Sequence, residues 1–304
     1  MPNDRETANF FWHGDALSVY EWACVSSFCR AGFAVNLWSY GPLKLPDGAL
    51  ARDAALILPQ SDLSRYTQGG VGASIAAFTD FFRYELLAGS GGWWIDTDVV
   101  CLRSAPEFGG FQQALVAGYE KGEKVNGAVL KINAPGLAAR LKQEADGLAA
   151  ARGNRFEWGA VGPHLLTDFA RQPELKSQIL PAAVFYPIHY SQADLVLDPT
   201  RRDEAQALCS SAHTYHVWNE IIRLWAVPKN VLPPAGSFLH QAFVAAAPEL
   251  AQLPALPAPT LTALLGQAAA RAEREDPGFV YHLRALGPSF AGAWRKRLGK
   301  FSAK

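Results

Sequence analysis

The sequence predicts an α/β protein built on a doubly wound sheet, and three features predict it. Apolar segments of two-residue period alternate with segments of helical period, glycines fall where the helices must stop, and 49% of the 304 residues are hydrophobic, enough for a core covered on both faces.

The elements follow in order. Residues 9–13 read as a strand; Leu17, Tyr20, Cys24, Phe28 and Ala31 then recur at helical spacing until Gly32, and FAVNLWSY (33–40) returns as a strand, which begins a βαβ unit. Ser74 suits the cap of a second helix, whose Phe78, Phe82 and Leu86 fall four apart on one face. The run AGSGG closes that helix just before the strand WWID. QALVAGYE (113–120) and NGAVLKI (126–132) read as strands, 135–151 and 162–172 as helices, and VFYPI (184–188) and AHTYHVW (212–218) as late strands. From Pro228 the chain turns Pro- and Ala-rich with helical pieces near 237–247 and 259–274. The expected division is a main domain over 1–227 and a helical extension packed on it over 228–304.

Twenty-eight basic residues balance 28 acidic ones, so no overall basic field exists to collect nucleic acid, and any anionic ligand must be met locally. The start, MPNDRETANFFWHGD, has acidic and polar residues where a signal peptide needs a basic region followed by an apolar run. No apolar stretch reaches the roughly 20 residues that span a bilayer, so the expected location is the cytoplasm. The four cysteines, Cys24, Cys29, Cys101 and Cys209, lack C-x-x-C spacing and sit in apolar segments, as buried free thiols do. The C-terminal AGAWRKRLGKFSAK interleaves five basic residues with Trp294, Leu298 and Phe301; it suits a solvated tail or a peripheral grip on anionic lipid at the inner membrane face.

The chemistry concentrates in GGWWIDTDVV (91–100). Alternation along a strand turns Trp94, Asp96 and Asp98 toward one side. Two hard oxygen ligands at the C-terminal end of a parallel strand can hold Mg²⁺ or Mn²⁺ and leave positions open for phosphate oxygens, in the region where open α/β sheets bind ligands. A D-x-D alone is common; the apolar strand, double glycine and helix before it supply context. In that helix Asp80 and Arg83 stand three apart and can share a face, as a ligand-binding pair or as an ordinary surface ion pair.

The run spelled by Ala77, Asp80, Arg83, Tyr84, Leu87, Gly91, Gly92, Asp96, Asp98 and Val99 resembles the sugar-binding D-x-D region of retaining GT-A glycosyltransferases. That group includes yeast Golgi mannosyltransferases, lactosylceramide α-1,4-galactosyltransferase, bacterial capsule and lipopolysaccharide transferases, and clostridial glucosylating toxins. Thr79 and Phe81-Phe82 depart from the commoner residues in ways that affect packing. Weaker matches extend the resemblance over residues 9 to about 220: the opening strand, helix and strand, GAVGPHLLT, VFYPI and AHTYHVWNE.

The resemblance implies a GT-A-like fold, a Rossmann-like mixed sheet flanked by helices with a C-terminal helical extension. It implies a nucleotide-sugar donor, UDP-sugar before GDP-sugar, with Mn²⁺ or Mg²⁺ bound by Asp98 together with Asp96 and His216, and Asp96 alternatively meeting the ribose. Asp80 and Arg83 would hold the donor sugar, Trp12 would meet the base, and Trp218 would cover the leaving oxygen. Asn126 and His164 fall in matching segments without an assigned role. A saccharide or glycolipid is the implied acceptor, with retention of configuration, in bacterial surface polysaccharide synthesis. Core packing is the alternative for Trp12, His216 and Trp218. Two other functions also accommodate a D-x-D: a haloacid-dehalogenase-type phosphatase, which needs a later lysine and acidic pair, and a non-catalytic nucleotide-sugar binder.

Overall fold

The computed structural model describes residues 5–68 and 73–274. The basic tail with Trp294, Leu298 and Phe301 lies outside them. The strands are β1 (Thr7–Phe11), β2 (Ala34–Ser39), β3 (Ala49–Asp53), β4 (Thr67–Gln68), β5 (Trp93–Ile95), β6 (Val99–Cys101), β7 (Leu115–Lys121), β8 (Lys124–Ile132), β9 (Arg155–Phe156) and β10 (Thr214–His216). The helices are α1 (Val19–Arg30), α2 (Ile75–Gly89), α3 (Ala105–Phe108), α4 (Leu137–Arg152), α5 (Leu165–Ala170), α6 (Pro173–Lys176), α7 (Ala182–Phe185), α8 (Arg202–Cys209), α9 (Asn219–Leu224), α10 (Phe238–Ala246) and α11 (Ala258–Glu273).

Six strands form the main sheet in the order β3-β2-β1-β5-β8-β7. The first four are parallel; β8 runs antiparallel to β5, and β7 antiparallel to β8. Strand alternation divides the apolar residues between two layers: Phe10, Trp93 and Ile95 face the layer of α1, whereas Phe11 and Trp94 face that of α2 and α4. Helices therefore cover both faces, as the expected doubly wound plan requires, but the antiparallel edge makes the sheet mixed.

Local chemistry places the early elements. Ser18 and Glu21 form a capping box at the start of α1, and the Ser74 hydroxyl accepts from the Ala77 amide at the start of α2. Gly92, at φ 79°, brings β5 against β1; a Cβ there would lie 3.1 Å from the Thr7 carbonyl oxygen. Beside it Asn9, only 1% exposed, donates to the Trp93 carbonyl (3.1 Å) and accepts from Asn36 Nδ2 and Trp38 Nε1 (both 3.1 Å), joining three neighbouring strands.

Two expectations are corrected. VFYPI is not a strand. Leu180 exchanges hydrogen bonds with the edge of β7, Pro181 then opens the helical turn α7, and Phe185 enters a ring cluster with Trp93, Phe108 and Phe111. Packing of that aromatic overrides its strand propensity. Nor does the strand carrying the two aspartates run through them: β5 ends at Ile95 and a turn closes from the Asp96 carbonyl to the Val99 amide (3.1 Å). All four cysteines are free, two buried and two half-buried.

Residues 228–274 pack on the outer side of α1, with Phe243 edge-on to Tyr20 at 5.1 Å and the Trp22 indole donating to Glu249. Among the described residues no helix is long and apolar enough to cross a membrane.

Phe82 is fully buried against Phe11, Phe78, Trp38 and Trp94 and anchors α2 on the sheet. Replacing it with alanine should cost about 3–5 kcal/mol. Urea unfolding with an unchanged m-value checks this; a loss under about 1 kcal/mol would show that the helix is held elsewhere.

Candidate functional site

Above the ends of the parallel strands lies a cleft of about 470 Å³. Helix α2 supplies one side. Its Asp80 and Arg83 are not a surface pair: their side chains are 13% and 7% exposed, with Arg83 Nη1 3.3 Å from Asp80 Oδ1. The other guanidinium arm lies 3.1 Å from Asp96 Oδ1, and its plane sits 5.2 Å from the Trp94 ring. Space is made for this assembly by two glycines. A Cβ on Gly127 would stand 2.2 Å from Arg83 Nη1, and one on Gly162 2.5 Å from Asp80 Oδ2.

Burial pushes the Asp80 carboxyl up to about 6, with Arg83 pulling the other way and the Asp96 charge adding to the rise. Burial also disfavours charge on Arg83, but Asp96 and Asp80 outweigh it and keep the guanidinium protonated.

Asp96 follows the strand period, so it lies on the Trp94 face, where the Trp94 indole donates to its Oδ1 at 2.6 Å. Asp98 reaches the same place by another route. The antiparallel pairing of β6 with β10 sets His216 opposite Val99, and the Val217 amide donates to the Asp98 carbonyl at 2.8 Å. His216 Nε2 then lies 3.1 Å from Asp98 Oδ2, an oxygen that also accepts from the Asn219 amide at 2.8 Å. Burial favours the neutral forms of both, yet their mutual attraction prevails: Asp98 is held below the usual carboxylate range and His216 above the ordinary imidazole value.

One potential ligand atom from each of Asp96, Asp98 and His216 lies within 4.8 Å of the other two. The bonds to each acid fall on a single oxygen. Among the described residues, Asp96 Oδ2 and Asp98 Oδ1 have no hydrogen-bond partner, and the buried His216 Nδ1 has none either. Two spare carboxylate oxygens beside an imidazole suit a hard divalent cation.

Trp12 and Trp218 line the same cleft. The Trp12 indole donates to the Ala16 carbonyl and that of Trp218 to the Ile188 carbonyl, so each offers the cleft a ring surface rather than a free N–H. Trp218 adopts a left-handed backbone (φ 63°) with its ring 4.0 Å from that of His216. Asn126 also lines the cleft, whereas His164 lines a neighbouring polar groove.

Sequence reading missed the opposite wall. The β7–β8 hairpin turns at Gly122 (φ 60°) and presents Glu120 and Lys124, paired at 3.2 Å, with Glu120 also accepting from Asn126 at 2.9 Å. Lys124 lies 5.3 Å from the ring of half-buried Trp158. Glu120 ends an apolar strand and Trp158 follows a loop acid, and neither carries a local spacing signal; only the Asn126-Gly127 dipeptide hints at a close approach of backbone.

Residues 153–232 match a family model described as the alpha 1,4-glycosyltransferase conserved region. No curated protein matches the chain significantly. Among solved structures, the chain resembles the PaToxG glycosyltransferase at 11% identity and a TM-score of 0.41, over 55% of this chain and 69% of that one. It resembles the glycosyltransferase GlyE of Streptococcus pneumoniae TIGR4 at 13% and 0.46, over 80% and 60% of the two chains. It also resembles the galactosyltransferase LgtC, solved with donor and acceptor sugar analogs, at 12% and 0.47, over 82% and 97%. The matched family region carries Trp158, His216, Trp218 and Asn219, which line the cleft, and Gly162, which lies against Asp80. That region, the mixed α/β sheet and the D-x-D after β5 meet in one cleft, so the chain carries an alpha 1,4-glycosyltransferase conserved region on the scaffold that holds the two aspartates.

Proposed function

We propose that the cleft moves a sugar from a nucleotide-diphosphate donor, a UDP-sugar before a GDP-sugar, to a hydroxyl of a saccharide or glycolipid, with retention of configuration and with help from Mn²⁺ or Mg²⁺. The observation that carries this reading is the set Asp96, Asp98 and His216, each with an uncommitted ligand atom, on the floor of the cleft that buries Asp80 and Arg83.

Asp96, Asp98 and His216 would hold the cation. What a bound divalent ion contributes is stabilisation of the charge that grows on the departing diphosphate. The protein's own groups orient the sugar. Ionised Asp80 accepts from donor hydroxyls and Arg83 donates to them, Trp12 offers its ring to the base, and Trp218 screens the diphosphate from water. Glu120, Lys124 and Trp158 form a polar and aromatic wall suited to acceptor hydroxyls and the apolar face of a sugar ring. In the transfer, the acceptor oxygen bonds to the anomeric carbon as the bond from that carbon to the phosphate oxygen breaks. The electron pair leaves with the diphosphate, and the acceptor proton passes to a diphosphate oxygen on the same face.

Calorimetric titration with UDP- and GDP-sugars, with and without Mn²⁺, tests the reading. Metal-dependent binding of one donor is expected, and Asp98→Asn should weaken it by more than about tenfold while the fold persists. Equal donor affinity with and without metal would sink the proposal.

Gly127→Ala should displace Arg83 and lower donor turnover about 100-fold, since displacements of this size misalign reacting groups. Circular dichroism should stay near that of the unsubstituted chain. Unchanged turnover would remove Arg83 from the site.

Asp80 binds its proton more tightly folded (about 6) than free (3.8). Its contribution to stability is therefore full below about 3.8 and lost as pH rises through about 6. Donor binding runs the opposite way, because the ionised form is the acceptor: affinity should fall as pH drops through about 6. Asp80→Asn should bind weakly and lack that inflection, and a variant that keeps it would assign the titration to another group.

A further inference from the structure

Glu21 lies in the first turn of α1, outside the cleft, and is 0% exposed. A buried carboxylate is costly unless donors satisfy both oxygens. The capping box accounts for one of them: Oε2 accepts from the Ser18 amide (3.2 Å) and the Ser18 hydroxyl. Capping does not account for the other. Oε1 accepts from Asn219 Nδ2 at 2.8 Å and from the Lys229 ammonium, both on the far side of β10 in sequence.

Asn219 links Glu21 to the site. Its side chain is held by Glu21, while its backbone amide donates to Asp98 Oδ2 at 2.8 Å. Asn219 Oδ1 is buried with no partner among the described residues, so the Glu21 contact alone sets the direction of that amide group. The helix it begins, α9, has only six residues and follows a left-handed Trp218, so it has little rigidity of its own. Glu21 holds the first residue of α9 through Asn219, while Lys229, beyond the end of that helix, supplies a compensating charge to Glu21 and accepts at its carbonyl from the Val19 amide at 3.0 Å.

We infer that Glu21 is a positioning residue for the candidate metal centre: by fixing Asn219 it aims the amide that orients Asp98, leaving Asp98 Oδ1 turned to the cation. The inference rests on the reading of Asp96, Asp98 and His216 as a divalent-cation site. Groups one step behind a metal ligand typically affect affinity 10–100-fold.

The test is a double-substitution cycle on the full chain, reading Mn²⁺ affinity by electron paramagnetic resonance of the free ion. Glu21→Gln, close in shape, and Asn219→Ala, which keeps the backbone amide, should each weaken Mn²⁺ binding about tenfold or more. The double variant should lose no more than the weaker single, because both act through one contact. Additive losses, or unchanged affinity in Glu21→Gln, would overturn the inference. Lys229→Met separates stability from positioning: it should lower the melting temperature while Mn²⁺ affinity stays within about threefold, and a tenfold loss there would assign the effect to general loosening. If the unsubstituted chain takes up no Mn²⁺, the function proposed above fails. The positioning claim then stands on the crystal structure of Glu21→Gln, in which Asn219 should be turned away from Asp98; an unchanged 2.8 Å contact would overturn it.

Discussion

A guanidinium buried between two carboxylates organises this molecule. Arg83 joins α2 to the end of β5 by binding Asp80 on its own helix and Asp96 in the turn that follows the strand, with its plane against Trp94. Buried ion pairs are weak contributors to net stability, but removing one partner leaves uncompensated charge and costs several kcal/mol. The triad therefore acts through specificity: only one docking of α2 on the sheet gives Arg83 both partners. Gly127 on β8 and Gly162 before α5 belong to the same constraint, since a methyl group at either would occupy space taken by the charged atoms.

Sheet topology explains why the cleft forms there. The parallel strands end together, and β5 is the last of them, with antiparallel β8 and β7 beyond it. Such a change of direction leaves a crevice outside the carboxyl ends of the strands. The turn after Asp96 sends the chain out of the sheet into β6, whose antiparallel partner β10 carries His216 back to Asp98 from 118 positions away in sequence.

What was legible in the sequence was what local spacing encodes. Residues three apart on α2 and two apart after Trp94 revealed Asp80, Arg83, Asp96 and Asp98, and helical periods revealed α1, α2 and α4. Very short strands such as β4, β6 and β9 have no period to read, and their existence depends on the partner they meet. Alternation led to the right neighbours for Asp98 by the wrong path, because the strand stops at Ile95 and β10 supplies the convergence. Glu120, Trp158 and the two glycines are set by contacts across the fold, and so is the link from Glu21 to Asn219, which lies 198 positions away in sequence.

The charge of the cleft supports the metal reading independently of ligand geometry. Its lining carries Asp80, Asp96, Asp98, Glu120, Glu157 and Glu220 against two permanently charged cations, Arg83 and Lys124. Arg83 already serves Asp80 and Asp96, and Lys124 serves Glu120. A diphosphate entering such a space would meet like charge inside a partly desolvated cavity, where repulsion is stronger than in water. The chain as a whole offers no positive excess to offset it, having 28 basic and 28 acidic residues. Although Arg223 offsets Glu220, an anionic donor would bind more readily if positive charge came with it, and the spare oxygens of Asp96 and Asp98 are where a divalent ion would bring that charge.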